Sequence, residues 1–251
     1  MRIVGVIPVR LKSSRLPNKA LVDIEGIPMV IHVLKRAQMS HGLQAVFVAT
    51  DSKEIYDVVT HYGGKAVMTS AEHTTGTDRI AEVVRNMDVD IVVNIQGDEA
   101  LLNPDHIDRV VEPLKAEDDL QVAVLVTPFT KKNSPSDIKA VLDLNDYILF
   151  CSRTDLPSDV RTPVNIMWKM SFLVPFRKSF LIQYASWKPT PLEKIEFNEY
   201  LRIFEHGYKI KAVRVECAHI SVDTPADLEI IRAEFKNDPF KQQYLSPFKS
   251  I

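Results

Sequence analysis

The sequence predicts an α/β fold, a mostly parallel central sheet with flanking helices, and three observations carry that expectation. An apolar run, Ile3-Val4-Gly5-Val6-Ile7-Pro8-Val9, suits a strand buried on both faces and breaks into a cationic loop. A second such run, Asp90-Ile91-Val92-Val93-Asn94-Ile95, ends in the polar residues Gln96-Gly97-Asp98-Glu99. Around them, strands alternate with amphipathic helices over the first 130 residues, as right-handed crossovers onto a parallel sheet require.

Taken in order, Pro28 suits a first helical turn, and Val30, Val33, Leu34 and Ala37 follow at helical spacing. Residues 45–51 read as a strand, 53–61 as a helix and 65–69 as a short strand. Ile80, Val83, Val84 and Met87 mark a helix, as do Ile107, Val110, Val111 and Leu114, and a strand over 120–127 follows. In the less regular second half, 141–142 and 147–151 predict a hairpin, 157–165 a loop and 166–174 one strand. Residues 180–184 belong to a helix, and Pro191 opens another running to about 205 with Gly207 as its C-cap residue. A strand over 209–217 and a last helix from Thr224-Pro225 complete the core elements. The tail after Asn237 is expected to dock loosely or to reach a partner subunit.

The chain has 251 residues, 45% of them hydrophobic and 25% charged, enough for a large core on a soluble domain. Its net charge of −2 argues against a general nucleic-acid binder, which would show a basic excess. No apolar run approaches the length of a membrane span, and the first strand starts without a leader pattern, so a cytoplasmic protein is expected. Cys151 and Cys217 each sit in an apolar segment without metal or redox spacing, and are expected to be buried thiols. The seven histidines show no ligand spacing and read as surface or loop residues.

The loop after the first strand, Arg10-Leu11-Lys12-Ser13-Ser14-Arg15-Leu16-Pro17-Asn18-Lys19, holds four cations and two hydroxyls. It lies where open α/β sheets bind ligands, outside the carboxyl ends of the strands. No glycine-rich phosphate motif exists, and the chain has only eight glycines. Phosphate would therefore rest on the Arg10, Arg15 and Lys19 side chains, helped by Ser13 or Ser14. Asp98, at the same sheet edge, either holds a hard cation against phosphates or caps a turn. Asp223, just before a Thr224-Pro225 helix start, reads by itself as structural but is free to face the site. Asp98 and Asp223 together would suffice for Mg²⁺. Thr75-Gly76-Thr77-Asp78-Arg79 is either a capping turn or an anion- or base-holding helix start.

These pieces, in this order, resemble the sugar-acid cytidylyltransferases, and most closely the 3-deoxy-manno-octulosonate (Kdo) cytidylyltransferase family. The resemblance runs from Ile7-Pro8-Val9-Arg10 and Arg15-Leu16-Pro17-Asn18-Lys19 through Val48-Ala49-Thr50-Asp51, Gly76-Thr77-Asp78-Arg79 and Val93-Asn94-Ile95-Gln96-Gly97-Asp98-Glu99. It continues in Phe150-Cys151-Ser152-Arg153, Trp187, Pro191-Leu192-Glu193, Leu201-Arg202 and Val222-Asp223-Thr224-Pro225. It implies a nucleotide-diphospho-sugar transferase-like, Rossmann-like fold, a homodimer, CTP and Mg²⁺. The implied reaction is attack of a sugar's anomeric hydroxyl on the α-phosphorus of CTP, giving a CMP-sugar and pyrophosphate for lipopolysaccharide or other surface polysaccharide. Carried over by position, Val9, Arg10, Ser14, Arg15, Lys19, Thr77, Arg79 and Gln96 would hold CTP. Asp98 and Asp223 would bind the metal, and Arg153, Lys169, Glu199 and Tyr200 would line the sugar side. Arg10, Lys19, Asp98 and Asp223 would form the catalytic set. The chain then divides into a CTP-binding half over 1–130, an acceptor and dimerisation portion over 131–220, and a metal-ligand, helix and tail segment over 221–251.

The departures from the family pattern fall mainly on the sugar side. A His-Leu-Gly segment expected near Met170-Ser171-Phe172 is missing, with Lys169 beside the gap, and Tyr200 replaces a glutamine. In the cationic loop, Asn18 stands where glycine is usual. The nucleotide and metal half is kept while the acceptor half is rewritten, which predicts a changed acceptor such as the 8-amino analogue of Kdo. The rival readings are a cytidylyltransferase for a nonulosonic acid or a phosphonate, and a non-catalytic nucleotide-binding protein that kept the fold.

Overall fold

A computed structural model describes residues 1–11, 16–217 and 220–245. The chain runs β1 (Ile3–Val9), β2 (Asp23–Ile24), β3 (Ile27–Pro28), α1 (Met29–Ala37), β4 (Ala45–Thr50), α2 (Lys53–His61), β5 (Lys65–Met68), α3 (Gly76–Val84), β6 (Ile91–Asn94) and α4 (Pro104–Ala116). It continues through β7 (Ala123–Phe129), β8 (Lys139–Leu142), β9 (Ile148–Ser152), β10 (Met167–Ser171), β11 (Val174–Arg177), α5 (Lys178–Ser186), α6 (Pro191–Glu196), α7 (Leu201–Glu205), β12 (Lys211–Arg214), α8 (Pro225–Phe235) and α9 (Lys241–Leu245).

The first sheet has the order β11-β6-β1-β4-β5, parallel except for the edge strand β11. At its centre, β1 sends alternate side chains into two cores, because strand side chains change face at every residue. Ile3 and Ile7 pack with α1, α4 and α8, whereas Val4 and Val6 pack with α3, α5 and α7. Strands β1 and β6 are neighbours but connect onward in opposite directions, which opens a crevice beyond their carboxyl ends. The second sheet, β12-β7-β10-β8-β9, is antiparallel apart from the β12–β7 pair.

Several expectations are corrected. The single strand expected over 166–174 is two strands in different sheets. At Ser171 the chain makes a tight turn, closed by the Leu173 N–H on the Ser171 carbonyl at 2.8 Å, and β11 returns to the first sheet. The helix expected from Pro191 to about 205 breaks at Phe197, which adopts the left-handed conformation at φ 49°. Helical spacing continues across that break, so periodicity could not reveal it. Two histidines are buried rather than superficial: His32, between the Ile24 carbonyl and the Tyr244 hydroxyl, and His106. Burial lowers the His32 pKa to about 4, so it is neutral. Cys151 is buried, with its thiol pushed up to about 12 by desolvation, but Cys217 is exposed because β12 already ends at Arg214. The tail packs on its own chain through α9, where Tyr244 and Leu245 are buried.

Helix starts follow local chemistry as the sequence indicates. Thr224 caps α8 with Pro225 in the first turn, and the Asp227 carboxylate accepts the Asp223 and Thr224 N–H groups at 3.0 and 2.8 Å. This fixes the backbone that carries Asp223.

Candidate active site

A cleft of about 310 Å³ lies outside the carboxyl ends of β1 and β6. Val9 and Arg10 enter it from the end of β1, and Gln96, Gly97 and Asp98 from the end of β6. Gly97 is required by a close approach: a Cβ there would sit 2.2 Å from Val9 Cγ1. Only the glycine lets the two strand exits close on one another. The opposite wall is the loop leading into α3, His73 to Gly76, whose backbone turns into the helix under the Thr75 cap.

The chemistry concentrates at Lys19. Its Nζ donates to Asp98 Oδ2 at 2.5 Å and to Asp223 Oδ1 at 2.9 Å, joining side chains 79 and 204 positions away in the chain. Burial pulls the Lys19 pKa down, but the two carboxylates outweigh it, and the net shift is upward. The ammonium therefore stays charged throughout the ordinary pH range. Lys19 follows Asn18, which adopts φ 53° in the left-handed region. Asparagine tolerates that region better than most residues, which explains how it stands at a position suited to glycine.

Two carboxylates that reach one ammonium also suit a hard divalent cation. No group of three or more metal-ligating side chains occurs among the described residues. Such an ion would thus keep most of its coordination for phosphate oxygens and water, as Mg²⁺ commonly does.

The other expected nucleotide residues sit as follows. Gln96 donates to Asn94 Oδ1 at 3.1 Å, and Arg10 lines the cleft with an exposed side chain. Arg79 touches the cleft but is buried, tied to Asp51 at 3.2 Å, the Ser70 carbonyl at 3.3 Å and Thr69, so it braces the loop ahead of α3. Thr77 is buried behind the wall and donates to Glu199 Oε1 at 2.7 Å. Ser14 and Arg15 lie outside the described residues.

The four residues expected on the sugar side divide into two places. Glu199 and Tyr200 lie behind the cleft, one through Thr77 and the other through Asn94, whose amide donates to the Tyr200 hydroxyl at 3.4 Å. Tyr200 stacks on Phe172 with ring centroids 5.6 Å apart, so two of the rewritten positions form one packing unit. The second oxygen of Glu199, Oε2, is buried without a hydrogen-bond partner. Lys169 pairs with Asp137 at 2.6 Å and lies over the Phe129 ring. Arg153 spends its guanidinium on the carbonyls of Glu196, Phe197, Pro135 and Ser136. It brackets the left-handed turn at Phe197 that delivers Glu199 and Tyr200.

Burial pushes the Glu199 pKa up to about 7, against the Thr77 hydrogen bond and the Arg202 charge. A carboxyl whose folded pKa is raised favours folding at low pH, and that contribution is lost as pH rises from about 4.5 through about 7. Glu199→Gln keeps an acceptor for Thr77 and removes the titration. Its gain in thermal stability should be small near pH 5 and grow to no more than about 3 kcal/mol at pH 8. A Tm difference that is flat across this pH range would refute the assignment.

One acid escaped the sequence reading. Glu99 is buried, and desolvation, together with the charge of Asp98, pushes its pKa up to about 8, against Lys169 and a Ser221 hydrogen bond. Its place beside Asp98 was visible, but its burial was not.

Comparisons with known proteins assign the chain to a family. The cytidylyltransferase family model matches residues 4–210. A 3-deoxy-manno-octulosonate cytidylyltransferase of Geotalea uraniireducens (strain Rf4) is 40% identical, with 94% of this chain and all of the relative aligned. One from Fusobacterium nucleatum subsp. nucleatum is 39% identical, over 96% of this chain and all of that one. Among solved structures, a CMP:2-keto-3-deoxy-manno-octonic acid synthetase complexed with CTP superimposes with a TM-score of 0.91 at 34% identity, covering 94% and 99% of the two chains. A 4-diphosphocytidyl-2C-methyl-D-erythritol synthase from Anaerococcus prevotii, 14% identical with a TM-score of 0.61 over 94% and 98% of the chains, shares the fold. The chain is a nucleotidyltransferase of the cytidylyltransferase family, on the branch of the 3-deoxy-manno-octulosonate cytidylyltransferases. No helix among the described residues is long and apolar enough to cross a membrane.

Proposed function

We propose that this chain couples CTP to a 3-deoxy-2-ulosonic acid, Kdo or its 8-amino analogue, and releases pyrophosphate. The observation that carries the reading is the convergence of Asp98 and Asp223 on Lys19 at the mouth of a cleft. Arg10 and Lys19 bind the triphosphate, and Gln96 and the loop ahead of α3 hold the nucleoside. Asp98 and Asp223 would hold Mg²⁺, which when bound would neutralise phosphate charge and lower the pKa of the attacking hydroxyl. The anomeric oxygen forms a bond to the α-phosphorus as the bond to the bridging oxygen of pyrophosphate breaks, and the hydroxyl proton leaves to solvent. The CMP-sugar then serves lipopolysaccharide or another surface polysaccharide.

On the acceptor side, the Phe172–Tyr200 stack, which fills two of the rewritten positions behind the cleft, supports a changed sugar. The test is pyrophosphate release from CTP and Mg²⁺, with Kdo and 8-amino-Kdo supplied in parallel. Turnover with Kdo alone would assign the ordinary substrate, and a strong preference for the amino sugar would assign the analogue. Silence with both, if CTP still binds with Mg²⁺, points to another sugar acid. Failure to bind CTP would overturn the reading.

The reading includes a homodimer. Exposed Leu149 and Phe150 on the edge strand β9 lie beside exposed Ile195 and Phe197, across the Ser152–Glu196 and Cys151–Asn198 contacts, and a second copy would cover them. A monomeric mass by light scattering at micromolar concentration would rule this out.

A further inference from the structure

We propose that Arg36, far from the cleft in function and unassigned by the reading above, is a positioning residue for the two carboxylates. The proposal rests on the reading that Asp98 and Asp223 share a cation. Arg36 lies on the inner face of α1 with its side chain 1% exposed. A buried guanidinium is costly unless its donors are used and its charge is paired. Here the charge is paired and Nη1 is used by groups from the two segments that carry the carboxylates, while Nε is buried without a hydrogen-bond acceptor. Nη1 donates to the Leu102 carbonyl at 2.9 Å, four residues beyond Asp98, and Nη2 forms an ion pair with Asp238, just past the end of α8. The planar group is held between the rings of Phe240 and Phe235, at 5.3 and 5.9 Å.

The geometry makes this a fastening across the site. Helix α8 has eleven residues and so spans about 16 Å. At its start, the Val222 N–H donates to the Asp98 carbonyl at 3.0 Å, the direct backbone link between the two carboxylate-bearing segments. At its end, Asp238 is tied to Arg36, and Arg36 is tied back to Leu102. The loop from Asp98 to Leu102 and the helix from Asp223 to Asp238 are thus closed into one frame, joined at both ends. Core packing through Leu228, Ile231 and Phe235 holds the body of α8, and the Arg36 corner fixes its far end against the Leu102 segment, which sets the Asp98–Asp223 spacing. One turn back on α1, His32 holds the Tyr244 hydroxyl at 2.9 Å. The same hydroxyl also interacts with Arg36, so the docked tail belongs to this corner.

The experiment uses the full chain with CTP and reads Mn²⁺ binding directly, from the free-ion signal in electron paramagnetic resonance. Arg36→Met combined with Asp238→Leu removes both charges together, so that no lone buried charge remains. The expected result is a Mn²⁺ dissociation constant raised on the order of tenfold, the scale on which outer contacts tune metal sites. The CTP KM at saturating metal should be unchanged. Arg202→Met, which breaks a buried ion pair with Glu193 that involves neither Arg36 nor Asp238, should lower Tm while leaving Mn²⁺ affinity where it was. Should the double variant fail to fold, Asp238→Asn carries the same test in a milder form. A reduced Tm with unaltered Mn²⁺ affinity in the Arg36 and Asp238 variants would make the fastening merely structural. Equal loss of affinity in Arg202→Met would make it a general effect of lowered stability. If the wild-type chain binds no Mn²⁺ with CTP, the shared-cation reading falls first, and this proposal with it.

Discussion

Asp98→Asn is expected to lower pyrophosphate release from CTP by at least about a thousandfold, about 4 kcal/mol of transition-state stabilisation. The substitution keeps the size of the side chain and a hydrogen-bond acceptor for Lys19, so the fold should survive. What it removes is half of the negative charge that converges on one point with Asp223. Magnesium-dependent binding of CTP, followed by calorimetry with and without the metal, should disappear together with turnover. Were Asp98 only the partner of Lys19, the asparagine would still accept that hydrogen bond and lose less than about tenfold. The size of the loss therefore separates a metal ligand from a structural ion pair.

The largest effect on stability is expected from Arg202→Met. Arg202 forms a forked, buried ion pair with Glu193, with Nε 2.7 Å from one carboxylate oxygen and Nη2 2.5 Å from the other. It also donates to the Trp187 carbonyl at 3.0 Å and lies 5.0 Å from the centre of the Tyr184 ring. Removing the arginine strands the Glu193 carboxylate in the interior, where only the Thr190 N–H at 3.1 Å remains among these contacts. Breaking one side of such a pair costs about 3–5 kcal/mol, which a urea midpoint would register directly. Because the pair fastens α6 to α7, and Glu199 and Tyr200 lie between those helices, surviving activity should show a raised acceptor KM with the CTP KM little changed. An unchanged urea midpoint would mean that solvent reaches this pair in solution.

The strands and helix starts around the cleft were legible because their signals are contiguous. A strand buried on both faces must be a run of apolar residues, and the loop that follows is read from the next ten positions. Residues 3–9 and 91–94 are strands, and both deliver their exits to one cleft. The α8 start was legible for the same reason, since Thr224, Pro225 and Asp227 act within one turn. The sugar side was harder. Arg153 and Lys169 were placed there by resemblance, yet Arg153 serves four backbone carbonyls and Lys169 pairs with Asp137. A long cationic side chain looks the same in sequence whether its partner is a ligand or a neighbouring turn. The break at Phe197 was invisible because the residues on either side keep helical spacing, and the backbone turns there under bonds that arrive from Arg153.

By itself, then, the sequence determined the alternation of strands and helices, the faces they bury, and the loops that carry cations and carboxylates to the sheet edge. These depend on interactions within a few residues, where spacing along the chain equals spacing in space. Only the tertiary structure decided which of those groups meet. Lys19, Asp98 and Asp223 come together across 204 positions, and Phe172 finds Tyr200 from another sheet edge. Arg36, anonymous on an amphipathic helix, turns out to join the two carboxylate-bearing segments. Such encounters are set by chain closure over long separations, and local patterning does not encode them.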